Sequence, residues 1–343
     1  MISPRVSGVS GVAQHVSKLI EKLRDVGFDV DYISVENTPH IPIRKFYNPS
    51  FAITSTLKVL LRRLMDVRYD IAHGHNLPTW FPVRFSNSAI KILTLHGIYS
   101  KQIGILHGSF IGFLSSFIEK FVVGKLDMLT CISKETYKYY RELGFKVRYI
   151  PNAIDFRDLP NKDEYIRLYD RQVIYAGRLS KDKGIDILLS SAKYIDKNIH
   201  VLILGSGPLV RLVKSVCDRY DNLHYLGYKP RYECLKYIAG SDALILPSRV
   251  EAIPTVVLEA MALKTLVISF RIPSILDILS DEMGILIDSF NPLKLAEAIN
   301  NYTSYDIDSY IERAFKQICR FYNWDVVFKQ YLELYNSLIN GML

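Results

Sequence analysis

The chain is expected to fold as an α/β protein built from two doubly wound parallel-sheet units in tandem. Three observations lead there. Its 343 residues exceed what one ordinary hydrophobic core serves, and 49% apolar with 23% charged residues is the balance of a globular chain. Short β-rich apolar runs alternate with segments of helical period or length, the pattern of parallel strands covered by helices. The alternation is interrupted once, near residue 150, by a polar stretch with Pro151, Asn152 and Pro160 as breakers.

In the first series the apolar runs fall at residues 29–35, 70–73, 90–95 and 128–131. The second series falls at 172–176, 200–204, 223–226, 243–247, 266–269 and 285–287. The expected division is therefore residues 1–153 and 154–323, each a Rossmann-like domain. Residues 324–343 carry apolar side chains at helical spacing behind Asn323, a good cap, and are expected to form a packed terminal helix. Met1 stands almost at the first glycine loop, so the first strand is either very short or starts upstream. No repeat of solenoid period and no low-complexity tract is visible.

Composition narrows the function classes. The start lacks an apolar run of signal-peptide type, and the longest apolar stretch, 102–123, is broken by His107, Glu119 and Lys120. Neither secretion nor a membrane span is expected. Cys131, Cys217, Cys234 and Cys319 are far apart and form no C-x-x-C pair, which points away from a zinc site or disulfide framework and toward a reducing, cytoplasmic location. The first 155 residues hold 20 Lys and Arg against 12 Asp and Glu, so the whole net charge of +8 lies in that half. Such a surface attracts lipid headgroups, nucleic acid or an anionic substrate, although a merely solvated basic surface fits equally well.

The chemistry-bearing residues cluster in the second half. After the run at 243–247 comes Ser248-Arg-Val-Glu251-Ala-Ile-Pro254, then a helix-forming stretch from Thr255. Pro254 suits the first helical position, and the free amides of Thr255 and Val256 would then form an anion site at the positive end of the helix. Glu251 before that site and Glu259 one turn into the helix would accept hydroxyls on either side of a phosphate. A nucleotide sugar has that order of groups. Taken alone, two glutamates eight apart more often just complement a helix dipole.

The neighbouring motifs lower that bland reading. Tyr175-Ala-Gly177-Arg178-Leu-Ser-Lys-Asp-Lys183-Gly184 follows the first strand of the second series, so Arg178 and Lys183 could converge on a diphosphate. Gly205-Ser206-Gly207 ends another strand, where glycines let a ligand approach the backbone. In the first half, Ser7-Gly8-Val-Ser-Gly11 forms a glycine loop before a helix, and His96 in Thr94-Leu-His96-Gly97 should reach a cleft at a strand end. A lone glycine turn or a lone histidine is weak evidence by itself.

Together these segments resemble the family 4 glycosyltransferases of the GT-B fold. The resemblance is carried in order and spacing by the glycine loop, Thr94-Leu-His96-Gly97, Ile150-Pro-Asn-Ala-Ile-Asp155, Gly177-Arg-Leu-Ser-Lys-Asp-Lys-Gly184, Leu204-Gly-Ser-Gly-Pro208 and Pro247-Ser-Arg-Val-Glu-Ala-Ile-Pro-Thr-Val-Val-Leu-Glu-Ala-Met-Ala262. It implies two Rossmann-like domains facing each other across a cleft, with the acceptor on residues 1–153 and the nucleotide-sugar donor on 154–323. The terminal helix would return to the first domain.

By that resemblance the enzyme is a retaining, hexosyltransferase-like transferase that uses a UDP- or GDP-sugar and needs no metal or other cofactor. Glu251 would hold the donor sugar, Glu259 the ribose, Arg178 and Lys183 the diphosphate, and Gly227 and Tyr228 would lie against the base. Gly205 and Ser206 would line the donor, His96 would face the transferred sugar, and Gly8 to Gly11 would pass beside it. The family's usual Glu-Gly-Phe-Pro is Glu251-Ala-Ile-Pro254 here, which puts the backbone beside Glu251 in doubt only if it needs a glycine-only angle.

Asp29-Val-Asp31 and Asp306-Ile-Asp308 imitate the D-x-D of metal-dependent transferases but are expected to be structural, and His73-Gly-His75 lacks companions at ligand spacing. Residues 47–68 mix Lys58, Arg62, Arg63 and Arg68 with leucines, and 103–126 is rich in Phe, Ile and Leu. Both look interfacial, so the inner face of the cell membrane and a lipid-linked, glycan or polysaccharide acceptor are the expected partners. Core-facing helices with basic outer faces would read the same way. A nucleic-acid partner is not expected, since basic and aromatic residues are not interleaved. An epimerase of the same fold and a non-catalytic nucleotide-sugar binder are the competing functions.

Overall fold

The computed structural model describes residues 1–8, 11–43, 46–98, 119–121, 123–251 and 254–341. Most of the apolar stretch 103–126, and Ala252, lie outside these. The chain divides into two compact units, Met1–Asn152 with Val327–Leu343, and Ala153–Val326.

Unit 1 is a parallel sheet in the order β1 (Tyr69–His75), β2 (Ser88–Leu95), β3 (Met128–Cys131), β4 (Val147–Tyr149). Ile2 extends it beyond β1 through parallel bridges to Gly74 and Ile33. The run at 29–35 therefore does not form the strand that its alternation predicts. It meets residues 1–4 through the Ile33 bonds to Met1 and Ser3, the Val35 amide on the Pro4 carbonyl and the Met1 amine on the Asp31 carbonyl, which amount to one isolated bridge rather than a ladder. Helices α1 (Gly11–Asp25), α2 (Tyr47–Leu64), α3 (Trp80–Phe85) and α4 (Lys134–Glu142) flank this sheet. Ser133 caps α4 by accepting the Thr136 amide.

One face of α2 buries Phe51, Ser55 and Val59, four residues apart. Its opposite side is also apolar, with Ile53, Leu57, Leu61 and Leu64 between 55% and 84% exposed. The same helix is thus apolar on two sides, of which only one meets the core.

Unit 2 is a six-stranded parallel sheet of β5 (Gln172–Ala176), β6 (His200–Leu204), β7 (Leu223–Gly227), β8 (Ala243–Leu246), β9 (Leu266–Phe270) and β10 (Ile285–Ile287). The spatial order is β10-β9-β8-β5-β6-β7. The chain runs outward from β5 to β7 and then returns to place β8 on the other side of β5. The sheet direction of travel reverses between β5 and β8, and loops leaving such a switch point open outward at the carboxyl edge. Helices α5 (Ile185–Ser191), α6 (Val210–Cys217), α7 (Arg231–Ala239), α8 (Thr255–Ala262), α9 (Pro273–Leu276), α10 (Pro292–Asn300) and α11 (Ile307–Phe321) belong to this unit. The strands β5, β8 and β9 are buried at every position, which is why they are apolar except for Gln172 and Ser269, whose side chains are hydrogen-bonded.

Helix α12 (Trp324–Ile339) starts behind Asn323, whose side chain accepts the Val326 amide. From Val327 onward it packs within unit 1, where Tyr331 and Tyr335 are fully buried or nearly so.

Candidate active site

Three loops leave the carboxyl edge of the unit 2 sheet beside its switch point, and glycines let their backbones meet. Gly184 has a φ of +68°, and a Cβ there would overlap the carbonyl of Pro247, so the loop after β5 closes directly on the loop after β8. A Cβ on Gly205, at φ +137°, would overlap the carbonyl of Gly177. The loop after β6 is bonded to both neighbours: Leu179 donates to the Ser206 carbonyl at 3.0 Å, and Gly205 donates to that of Gly227 at 2.8 Å. The glycines therefore serve close packing of backbone, a tighter requirement than an ordinary turn.

That packing brings Lys183 and Glu251 together. Lys183 Nζ lies 2.6 Å from Glu251 Oε2, and Ser248 Oγ donates to Glu251 Oε1 at 2.8 Å. The Glu251 side chain is 9% exposed and that of Lys183 29%, so the pair is partly shielded from water. Arg249 braces the same corner, with both terminal nitrogens 2.8 Å from Asp186 and its amide bonded to the Asp182 carbonyl. Tyr175 donates to the Arg178 carbonyl at 2.7 Å, and burial, then the charges of Glu251, Asp182 and Asp186, push its phenol well up, keeping it a donor.

Arg178 is exposed and has no carboxylate partner among the described residues. It is near in sequence to Lys183, yet only Lys183 meets Glu251. Ser180 Oγ, on the same loop, is buried without a hydrogen-bond partner.

Helix α8 begins at Thr255, with Pro254 as its N-cap at φ −74° and ψ 105°. Pro254 therefore stands one position before the first helical residue, where its extended ψ and missing N–H cost nothing. Its carbonyl accepts the Val257 amide at 3.0 Å, while the amides of Thr255 and Val256 have no partner among the described residues. Glu259 lies on this helix, buried, and accepts from Arg231 Nε at 2.8 Å. Burial raises its pKa and the Arg231 charge partly offsets this. Tyr228 is 56% exposed just beyond Gly227, which has a φ of +78°.

Sequence reasoning did not single out Ser248, Arg249 or Arg231. The first two stand inside the quoted Pro247–Ala262 segment, but nothing local shows that Ser248 serves Glu251. Arg231 opens α7, 28 residues before Glu259, with no periodicity linking them.

In unit 1 the glycine loop begins with Ser7 and the exposed Gly8, at φ +109°, and Gly11 is the first residue of α1. His96 follows β2 but is buried in a histidine cluster, so its ring is not open at the strand end as its position predicts. Its Nε2 is 3.3 Å from His75 Nδ1, and its ring packs edge-on to His15. His73 pairs with Tyr335 and Thr94, each at 2.6 Å, and His15 with Tyr331 at 2.9 Å. Burial drives the pKa of all four histidines down, that of His15 to about 4. Among the described residues no group of His, Cys, Asp and Glu has the arrangement of a metal site. Asp31 is taken by Arg62 at 2.6 Å and Tyr69 at 2.9 Å, and Asp306 caps α11.

Comparison with known proteins accords with this architecture. Residues 9–158 match Glycosyltransferase Family 4, and residues 160–314 match the group 1 glycosyl transferases. An uncharacterised glycosyltransferase of Methanocaldococcus jannaschii is 27% identical, over 85% of this chain and 86% of its own. The phosphatidyl-myo-inositol mannosyltransferase of Mycolicibacterium smegmatis is 26% identical, over 96% of this chain and 90% of its own. Among solved structures, sucrose-phosphate synthase of Thermosynechococcus elongatus superposes with a TM-score of 0.80 at 19% identity, covering 99% of both chains. Anabaena HepE, in complex with UDP and glucose, gives 0.74 at 14% identity, covering 98% of both. These two likenesses concern the fold. With one half matched by each of these family models, the chain belongs to the family 4 glycosyltransferases and is a glycosyltransferase of the GT-B fold.

Proposed function

We propose that unit 2 binds a UDP- or GDP-sugar and that the enzyme passes the sugar, with retention of configuration and without a metal, to a lipid-linked or glycan acceptor bound by unit 1. The carrying observation is the Lys183–Glu251 pair at the switch point. In a nucleotide sugar the diphosphate and the hexose are covalent neighbours. A cation and a carboxylate 2.6 Å apart match that junction, Lys183 on the β-phosphate and Glu251 on the sugar hydroxyls.

The remaining residues extend along the same ligand. Arg178, exposed and without a carboxylate partner, supplies a second cation for the diphosphate. The amides of Thr255 and Val256 supply a fixed positive end, and Ser180 Oγ gains the partner it lacks. Glu259, oriented by Arg231, takes the ribose diol, while Gly205, Ser206, Gly227 and Tyr228 bound the nucleoside. In transfer the bond from C1 to the β-phosphate oxygen breaks, the acceptor oxygen bonds to C1, and the hydroxyl proton leaves with the phosphate. Negative charge grows on that phosphate, so preorganised cations and amides stabilise the transition state more than the ground state.

A membrane-borne acceptor is supported by α2, whose exposed Ile53, Leu57, Leu61 and Leu64 share one side and whose last turn carries the exposed Arg63. Among the described residues no helix is long and apolar enough to cross a membrane. This reading therefore places the enzyme on the membrane surface.

A thermal-shift screen of UDP, GDP and their sugars, followed by product analysis with the best binder, tests the donor assignment. Acceptor-dependent release of nucleoside diphosphate with the anomeric configuration kept is expected. No shift with any nucleotide, or an epimerised free donor, would overturn it. Sedimentation with anionic liposomes tests the surface assignment, which fails if binding is indifferent to anionic lipid and to salt.

A further inference from the structure

Unit 1 contains a surface pocket of about 730 Å³ that the donor assignment does not use. It is lined by Arg5 and Ser7 after the first paired segment, Val35 and Glu36 after the second, and His40 and Tyr47 farther along. Ile2 lies between Ile33 and β1 in the sheet, so the chain reverses beside it. The pocket is thus at the carboxyl edge of the sheet, between the segments that follow Ile2 and Ile33, on the side of Ile2 away from β1.

Its walls are fixed by contacts among themselves. Arg5 donates from Nε to the Tyr47 hydroxyl at 2.9 Å and stacks over its ring, with Cζ 5.2 Å from the centroid. That leaves the terminal nitrogens of Arg5 uncommitted to Tyr47. His40 packs edge-on to the same ring at 5.1 Å. Glu36 Oε1 accepts the Ser7 amide at 3.1 Å, the Ser7 hydroxyl at 3.0 Å and the Val6 amide at 3.3 Å. Burial would raise the Glu36 pKa, but donors from Ser34 and Ser7 hold it below the usual range, so it stays an acceptor-only carboxylate.

We infer that this pocket is the subsite for the acceptor's polar group and selects a hydroxylated ring bearing an anionic substituent, the anion on Arg5 and a ring hydroxyl at Glu36. The inference rests on the transferase reading and adds the acceptor's chemical class. Three features carry it. A guanidinium held by an aromatic ring is preorganised for an oxyanion. A carboxylate that is bound to the first residue of the glycine loop puts any hydroxyl it accepts beside that loop. Tyr47 is the first residue of α2, the helix with the exposed apolar side, so an acceptor carried on a lipid could lay its tail along that helix while its headgroup fills the pocket.

The test is calorimetric titration of the full chain, held at saturating UDP or GDP to occupy the donor site, with glucose 6-phosphate, glucose and inorganic phosphate. Glucose 6-phosphate is expected to bind at least tenfold more tightly than either fragment, and Arg5→Ala and Glu36→Gln each to weaken it at least tenfold. Tyr47→Phe, which keeps the ring and removes only the hydroxyl that holds Arg5, is expected to weaken it about threefold. Octyl glucoside 6-phosphate separates the sources: tighter binding than glucose 6-phosphate assigns a lipid-borne acceptor, and equal binding a free glycan phosphate. Binding no tighter than the fragments, or unchanged within twofold in the variants, overturns the subsite. The nucleotide thermal shift of the same variants is expected to match wild type, so loss of the subsite and loss of the donor reading give different results.

Discussion

Lys183 Nζ and Glu251 Oε2 stand 2.6 Å apart although 68 positions separate them in the chain. Nothing local draws them together. The parallel pairing of β5 with β8 sets their loops side by side, and Gly184 allows the two backbones to touch.

If Glu251 acts on the sugar while Lys183 acts on the phosphate, Glu251→Gln removes a charge-assisted contact worth about 1.5–3 kcal/mol, on the order of ten- to a hundredfold in turnover. Steady-state nucleoside diphosphate release from the purified variant measures this. Turnover near that of wild type would remove Glu251 from the mechanism.

Arg178 offers a sharper separation of stability from function. Because it is exposed without a carboxylate partner among the described residues, Arg178→Ala should leave the urea midpoint unchanged to within about 0.5 kcal/mol. Affinity for the nucleoside diphosphate should fall about tenfold or more. An unchanged affinity would count against its role, and a lowered midpoint would show that Arg178 is structural.

Gly184→Ala should destabilise the protein by about 1–3 kcal/mol, since the new Cβ meets the Pro247 backbone as well as an unfavourable φ. Gly227→Ala is the matched control: its φ of +78° is similarly unfavourable, but nothing lies within 4 Å of the added atom. Equal losses in chemical denaturation would mean that backbone angle alone matters and the close approach does not.

Removing Arg231 leaves the buried Glu259 carboxylate without its partner. Arg231→Ala should cost about 1–3 kcal/mol, and adding Glu259→Gln should recover part of it. A double-mutant cycle in urea gives the coupling directly, and additive losses would show that the pair is not coupled.

The histidine cluster predicts acid sensitivity. The folded pKa of His15 is lowered by burial from 6.5 to about 4, so the unfolded chain binds the extra proton between those values. Stability should be full above about pH 6.5 and decline as pH falls toward 4, by on the order of 3 kcal/mol for His15 alone. His73, His75 and His96 act in the same direction. A urea midpoint that stays flat across this window would contradict the cluster's neutrality.

The strands at 128–131, 172–176, 200–204 and 285–287 are legible residue for residue, because strands covered on both faces are mostly apolar, β-rich runs bounded by breakers. The run at 29–35 has the same alternation but makes a single bridge, Ile33 to Ile2, because pairing is a property of two segments and not of one. Strand β4 (Val147–Tyr149) was not anticipated, since three half-buried residues leave no period to read. Helix α2 could be read as core-facing or interfacial from its leucines. The structure buries one side through Phe51 and Val59 and leaves the other exposed.

At the site, the identities of Glu251, Lys183, Arg178 and Glu259 were readable because glycine loops and a helix start are local signals at short spacing. Their pairing was not. Ser248 and Lys183 reach Glu251, Arg231 reaches Glu259, and His96 is buried rather than open, each through contacts made across the sheet. Sequence alone settled which elements exist, which family they form and which side chains carry charge at strand ends. Tertiary structure decided which charges meet and which stay exposed, because burial and distance belong to packed pairs of elements, and no single segment contains that information.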